Sequence, residues 1–145
     1  MKSIGKFFLN VVIYVAIVAG IVWGIPKFLS WKLGTDYPIA SITSGSMWPV
    51  LKEGDLVFIE KVAKEELAIG DIVVWVNPKG FTIHRVVKLN EDTLVTRGDA
   101  NFKDDPPVPY NDLVGRTYEI LGWPARIPYL GYITVFVAGI QGSRG

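Results

Sequence analysis

The chain contains no cysteine and only one histidine, His84. Without thiols there are no disulfides, no thiolate catalysis and no cysteine-ligated zinc, and the compartment is left open. A single imidazole argues against a His-built metal centre, so no metal or other cofactor is expected. An excess of one charge is also missing. Fifteen basic residues face 14 acidic ones for a net charge of +1, and nothing in that balance points to nucleic acid as a partner. At 145 residues, one folded domain is the default. Apolar residues, by contrast, are plentiful: they make up 50% of the chain, with five tryptophans among them. That balance suits a protein attached to a membrane.

From Phe7 to Ile25 there is no charge, and only Asn10 and glycines interrupt the apolar run. Nineteen helical residues reach about 28 Å, close to the hydrocarbon thickness of a bilayer. The core of a cleavable signal is shorter, roughly 7–15 residues, so the stretch reads as a membrane anchor. Trp23 and Trp31 near its distal end fit an interfacial aromatic belt. Lys2 and Lys6 precede the span while Lys27 and Lys32 follow it, so the flanking charges do not orient it. Residues 1–31 are taken as the anchor, 32–122 as the folded domain and 123–145 as a C-terminal apolar segment. Ile127 to Ile140 is uncharged, but it is short for a span and holds Pro128, Gly131 and Gly139. It is expected to lie at the interface, to pack on the domain or to begin a second span.

Lys32 to Ile42 reads as a connector, with Gly34 and Pro38 as breakers. Beyond it lie short runs rich in Val, Ile and aromatic residues: 56–62, 72–76, 81–89, 93–97 and 113–121. Turn residues separate them, among them Asn77-Pro78-Lys79-Gly80 and Asn90-Glu91-Asp92. Close spacing with turns between runs predicts a mainly β, antiparallel domain. Gly-Asp recurs at 54–55, 70–71 and 98–99, which is read as turn chemistry rather than a repeat.

Ser44-Gly45-Ser46-Met47-Trp48-Pro49 can present a hydroxyl on a tight, accessible backbone. A serine attacks only when a neighbouring base takes its proton. An imidazole ordinarily titrates near about pH 6.5, which suits it to that task at neutral pH. Alternation along 81–89 places His84 on one face with Thr82, Val86 and Lys88. A carboxylate is then needed to orient the imidazole, and Asp99, Asp104 and Asp105 stand in one loop. Spacing does not choose among them. Met47, Trp48, Val50 and Leu51 beside the serine are read either as a bilayer contact or as core.

The blocks Ser44-Gly45-Ser46-Met47-x-Pro49, Gly70-Asp71-Ile72-Val73, Ile83-His84-Arg85-Val86 and Gly98-Asp99-Ala100-Asn101-x-x-Asp104-Asp105 together resemble type I signal peptidase. Their order and spacing match from about residue 42 to 122. Histidine at the base position resembles the archaeal and endoplasmic-reticulum branch, whereas the bacterial branch has lysine there. The resemblance implies a signal-peptidase-like antiparallel β domain on one N-terminal transmembrane helix. It also implies a serine endopeptidase that removes signal peptides from preproteins, cutting after a small residue. Ser46 matches the nucleophile, His84 the general base, Asp105 the orienting carboxylate, Asp99 a supporting aspartate and Ser44 an oxyanion-side hydroxyl. Implied partners are preprotein signal peptides, membrane lipid, and the translocation channel or other signal peptidase subunits. The implied site is the cell or endoplasmic-reticulum membrane, with the catalytic domain external or lumenal.

Two other readings stand beside it. One is a self-cleaving repressor-type protease, which would carry a DNA-binding domain where this chain has a span. The other is a catalytically silent, membrane-anchored β-module, which typically lacks the serine or the base.

Overall fold

A computed structural model describes residues 2–133, with side chains from residue 4 onward. The helix α1 (Lys2–Ala19) passes through a π-helical turn at Gly20–Gly24 into α2 (Ile25–Leu33). Pro26 explains the turn. A proline ring inside a helix clashes with the carbonyl four residues back. Here the Ile25 N–H reaches back five residues to the Gly20 carbonyl, which loosens the ladder just ahead of the proline. Ile4–Leu33 forms 30 residues of helix, long and apolar enough to cross a membrane, with none of its most apolar window buried. The helix is longer than the uncharged run in the sequence, continuing past Lys27 to Gly34. Gly34 ends it in the left-handed conformation at φ 68°. The last carbonyl, at Leu33, accepts from the Lys61 N–H at 2.8 Å, which ties the helix end to the β domain.

The strands are β1 (Ile39–Ser41), β2 (Leu56–Glu60), β3 (Ile72–Asn77), β4 (Gly80–Leu89), β5 (Thr93–Arg97) and β6 (Val108–Pro109). They continue with β7 (Leu113–Thr117), β8 (Glu119–Ile120), β9 (Trp123–Pro124) and β10 (Arg126–Ile127). All pairings are antiparallel, in the order β1-β2-β7-β3-β4-β5-β6, with β10 also against β2 and β8 paired with β9. This is the mainly antiparallel β domain with an N-terminal apolar helix that the sequence predicts.

Three details differ from the sequence reading. The connector holds strand β1, whose Ile39 lies opposite Phe58; three residues after a proline are too few to show a period of two. The run 113–121 is not one strand: β7 stops at Thr117, and β8 turns back as a hairpin through Leu121 and Gly122, both at positive φ. The Gly-Asp pairs are not all alike. Asp55 and Asp71 each accept from a backbone N–H three residues earlier, at Lys52 and Ala68, both at 3.0 Å. Asp99 instead faces Arg85.

Two buried clusters fill the domain. Val73, Val86, Leu94 and Val108 form the heart of one; Ile42, Met47, Leu51, Val57 and Ile72 form the other. Met47 and Leu51 are thus core, at 1% and 0% exposure, and not a bilayer contact. Trp48 between them remains exposed. The expected C-terminal apolar segment reaches residue 145, and its part from 134 on lies outside the described residues.

Candidate active site

The core roots the candidate nucleophile. Met47 is buried directly after Ser46, and two overlapping turns (Trp48 N–H to Gly45 C=O, Leu51 N–H to Met47 C=O) hold the stretch. The Ser46 carbonyl accepts from the Ala100 N–H at 2.9 Å, so the loop after β5 is fastened to the serine backbone. Gly98 permits that approach. A Cβ there would stand 2.6 Å from both the Ser46 carbonyl oxygen and Asn101 Nδ2.

His84 sits on β4 opposite Val73, 8% exposed. Its Nε2 lies 3.1 Å from Ser46 Oγ and its Nδ1 2.6 Å from Asp105 Oδ2. An ionised carboxylate only accepts, so Nδ1 carries the proton and Nε2 faces the serine hydroxyl as acceptor. Asp105 is held in turn. Its N–H donates to the Thr96 carbonyl at 2.8 Å, and its Oδ2 accepts from the Thr96 hydroxyl at 2.6 Å.

The other two aspartates go elsewhere. Asp99 takes two hydrogen bonds from Arg85, at 2.7 Å each, and Asp104 pairs with Arg97 at 3.3 Å. Arg85 also donates to the Gly70 carbonyl at 2.7 Å. The hydrogen bonds to Asp99, partly opposed by burial, hold the Arg85 guanidinium above its ordinary pKa. A raised base stays charged at every pH below that range, so this clamp is insensitive to pH near neutrality. Ser44 Oγ lies 3.3 Å from Ser46 Oγ. Ser46, His84, Asp105 and Ser44 therefore come together, while Asp99 stands one ion pair away.

Thr96 is the residue that sequence reasoning missed. It is fully buried, at 0% exposure, one strand over from His84. The available signal was a hydroxyl at an inward position of a short strand, next to the strand bearing the only histidine.

Ser46 and His84 open on a cleft of about 280 Å³. The edge strand β1 at Ser41 and the β4 residues Phe81–His84 wall it, with Met47 and Asn101 at its border. Such an arrangement can bind an extended peptide beside a strand and present one carbonyl to a hydroxyl and its base.

No protein-family model matches the chain. Many curated relatives do, among them the following three. The signal peptidase complex catalytic subunit sec11 of Neurospora crassa is 33% identical, over 77% of this chain and 73% of its own length. SEC11 of Pyricularia oryzae is 35% identical over the same shares. SEC11 of Lodderomyces elongisporus is 33% identical, over 88% of this chain and 80% of its own.

Proposed function

The chain belongs to the family of signal peptidase catalytic subunits, the endoplasmic-reticulum-type branch of type I signal peptidase, and on that basis we propose that it is a serine endopeptidase removing signal peptides from preproteins. The observation that carries the reading is the hydrogen-bonded series Ser46–His84–Asp105 opening on a peptide-sized cleft.

In this reading His84 Nε2 takes the Ser46 proton as Oγ attacks the scissile carbonyl. Asp105 holds the imidazole through Nδ1 and stabilises the imidazolium. The Ser46 backbone N–H, with the Ser44 hydroxyl beside it, donates to the oxyanion. His84 then protonates the leaving nitrogen, and water, activated by the same imidazole, releases the acyl chain. Asp99 acts one step away, through Arg85, by bracing the loop. The signal segment lies extended along β1, with its last small residue over Met47.

The residue groups divide as an anchor (1–31), a catalytic domain (32–122) and a C-terminal apolar segment (123–145) whose first strands, β9 and β10, pair with β8 and β2 of the domain. The preprotein, further signal peptidase subunits, the translocation channel and the lipid surface are the partners of this reading. Support for lipid contact comes from the β8–β9 hairpin, where Ile120, Leu121 and Trp123 are 58%, 95% and 71% exposed. Trp123 shares a shallow pocket with Pro49 and Val50, and exposed Trp48 precedes them in the chain, beside Ser46. The site is the endoplasmic-reticulum or cell membrane, with the catalytic domain lumenal or external.

The test is cleavage of a preprotein in liposomes. Wild type should remove the signal segment after a small residue. Ser46→Ala and His84→Ala should each lower the rate by roughly 10³-fold or more while the protein stays folded by circular dichroism. Asp105→Ala should fall at least about tenfold below Asp104→Ala. Equal rates for those two would remove Asp105 from its role, and undiminished cleavage by Ser46→Ala would end the serine mechanism.

A further inference from the structure

The tip of the loop between β5 and β6 carries a phenylalanine that the fold does not use. Phe102 stands wholly in solvent, at 104% exposure. A single exposed ring is ordinary by itself; what singles this one out is its place in a loop bonded to the Ser46 carbonyl. The backbone on either side of the ring is held in place. Ala100 is bonded to the Ser46 carbonyl at 2.9 Å, Asn101 N–H to the Gly98 carbonyl at 2.9 Å, and Asp105 N–H to the Thr96 carbonyl at 2.8 Å. Both ends of the loop are therefore fastened to the site, and Phe102 projects from between them.

Ala100 to Pro106 line a shallow cleft of about 500 Å³. Asn101 lines this cleft and also the one that holds Ser46 and His84, so the two meet at that residue. The chemistry gives the second cleft a direction. The base that takes the serine proton returns it to the leaving nitrogen. Nε2 must face that nitrogen, and the chain continuing from it leaves on the imidazole side of Ser46. That side is bounded by the loop ending in Asp105.

We propose that the cleft along residues 100–106 holds the first residues on the carboxyl side of the cut bond, with Phe102 packing against an apolar side chain there. The inference rests on the peptidase reading and adds to it a preference on the side of the released mature chain. The occupant is the substrate itself, because the cleft adjoins, at Asn101, the one onto which Ser46 and His84 open.

The experiment uses the full-length protein in detergent with preproteins carrying Leu or Gly at each of the first three positions after the cut. Wild type should favour Leu over Gly roughly fivefold in kcat/KM at one of those positions. Phe102→Ser should bring that ratio to about one, and Phe102→Trp should restore it. The ratio between Ala and Leu immediately before the cut should be the same in all three proteins. An unchanged Leu-to-Gly ratio in Phe102→Ser overturns the inference alone. A Phe102→Ser defect that appears only on lipid vesicles, equally for Leu and Gly, also overturns it and assigns the ring to the bilayer. Failure of wild type to cut any preprotein would overturn the peptidase reading, and this inference with it.

Discussion

Asp105 Oδ2 receives two donors, His84 Nδ1 and the Thr96 hydroxyl, each at 2.6 Å. Hydrogen bonds to a charged acceptor contribute about 1.5–3 kcal/mol. Thr96→Val keeps the shape and deletes the donor, so kcat should fall roughly tenfold with KM little changed. A kcat equal to wild type would show that the Thr96 hydroxyl does not orient the carboxylate. Gly98 acts by what it lacks. Because a Cβ would meet the Ser46 carbonyl oxygen at 2.6 Å, Gly98→Ala should push the loop off the serine and lower kcat by roughly 10²-fold. Gly45, with nothing within 4 Å of its Cβ position, provides the comparison: Gly45→Ala should cost far less in a kinetic assay. The residue types of the site are legible in the sequence because they fall in compact blocks. The choice among Asp99, Asp104 and Asp105 is not, since it depends on which side chains Arg85 and Arg97 occupy across strands. Thr96 is hidden for the same reason, as a contact with no local pattern.

Among the elements, the strands with turn residues at both ends were readable, and the shortest ones were not. β1 and β8 have three and two residues, too few for alternation to show, and only their partners make them strands. The β8–β9 hairpin turns through Leu121 at φ 54° and Gly122 at φ 79°. Two left-handed residues suit the twist of a tight hairpin, but a leucine there costs about 1 kcal/mol that asparagine largely avoids. Leu121→Asn should therefore raise the unfolding midpoint in detergent by a few degrees. On vesicles the same variant should bind lipid more weakly in a flotation assay, because it removes the most exposed apolar residue of the hairpin. A variant that is stabilised and binds as before would separate the hairpin from the membrane.

For the molecule as a whole, the tie from Leu33 to Lys61 joins the β domain to Ile4–Leu33, a helix long and apolar enough to cross a membrane. An enzyme and a substrate confined to the same surface meet at a rate set by their density in it. Adding empty lipid at fixed protein should slow cleavage of a membrane-inserted preprotein roughly in proportion to the added surface. A soluble peptide spanning the cut should show no such dilution, and equal slowing of both would contradict confinement. The apolar helix itself was legible from its uncharged run. The extra turns to Leu33 were not, because Pro26 and Lys27 mark an end that the π-helical turn lets the backbone pass.

The same molecule also has a single imidazole, with its Nδ1 proton held 2.6 Å from a carboxylate in a residue only 8% exposed. Protons in short charge-assisted bonds, shielded from exchange, resonate far downfield of the amide envelope. With no second histidine to overlap it, that line is a built-in spectroscopic label on one bond. Its shift on acylation and its return on release would time a single turnover without any added probe.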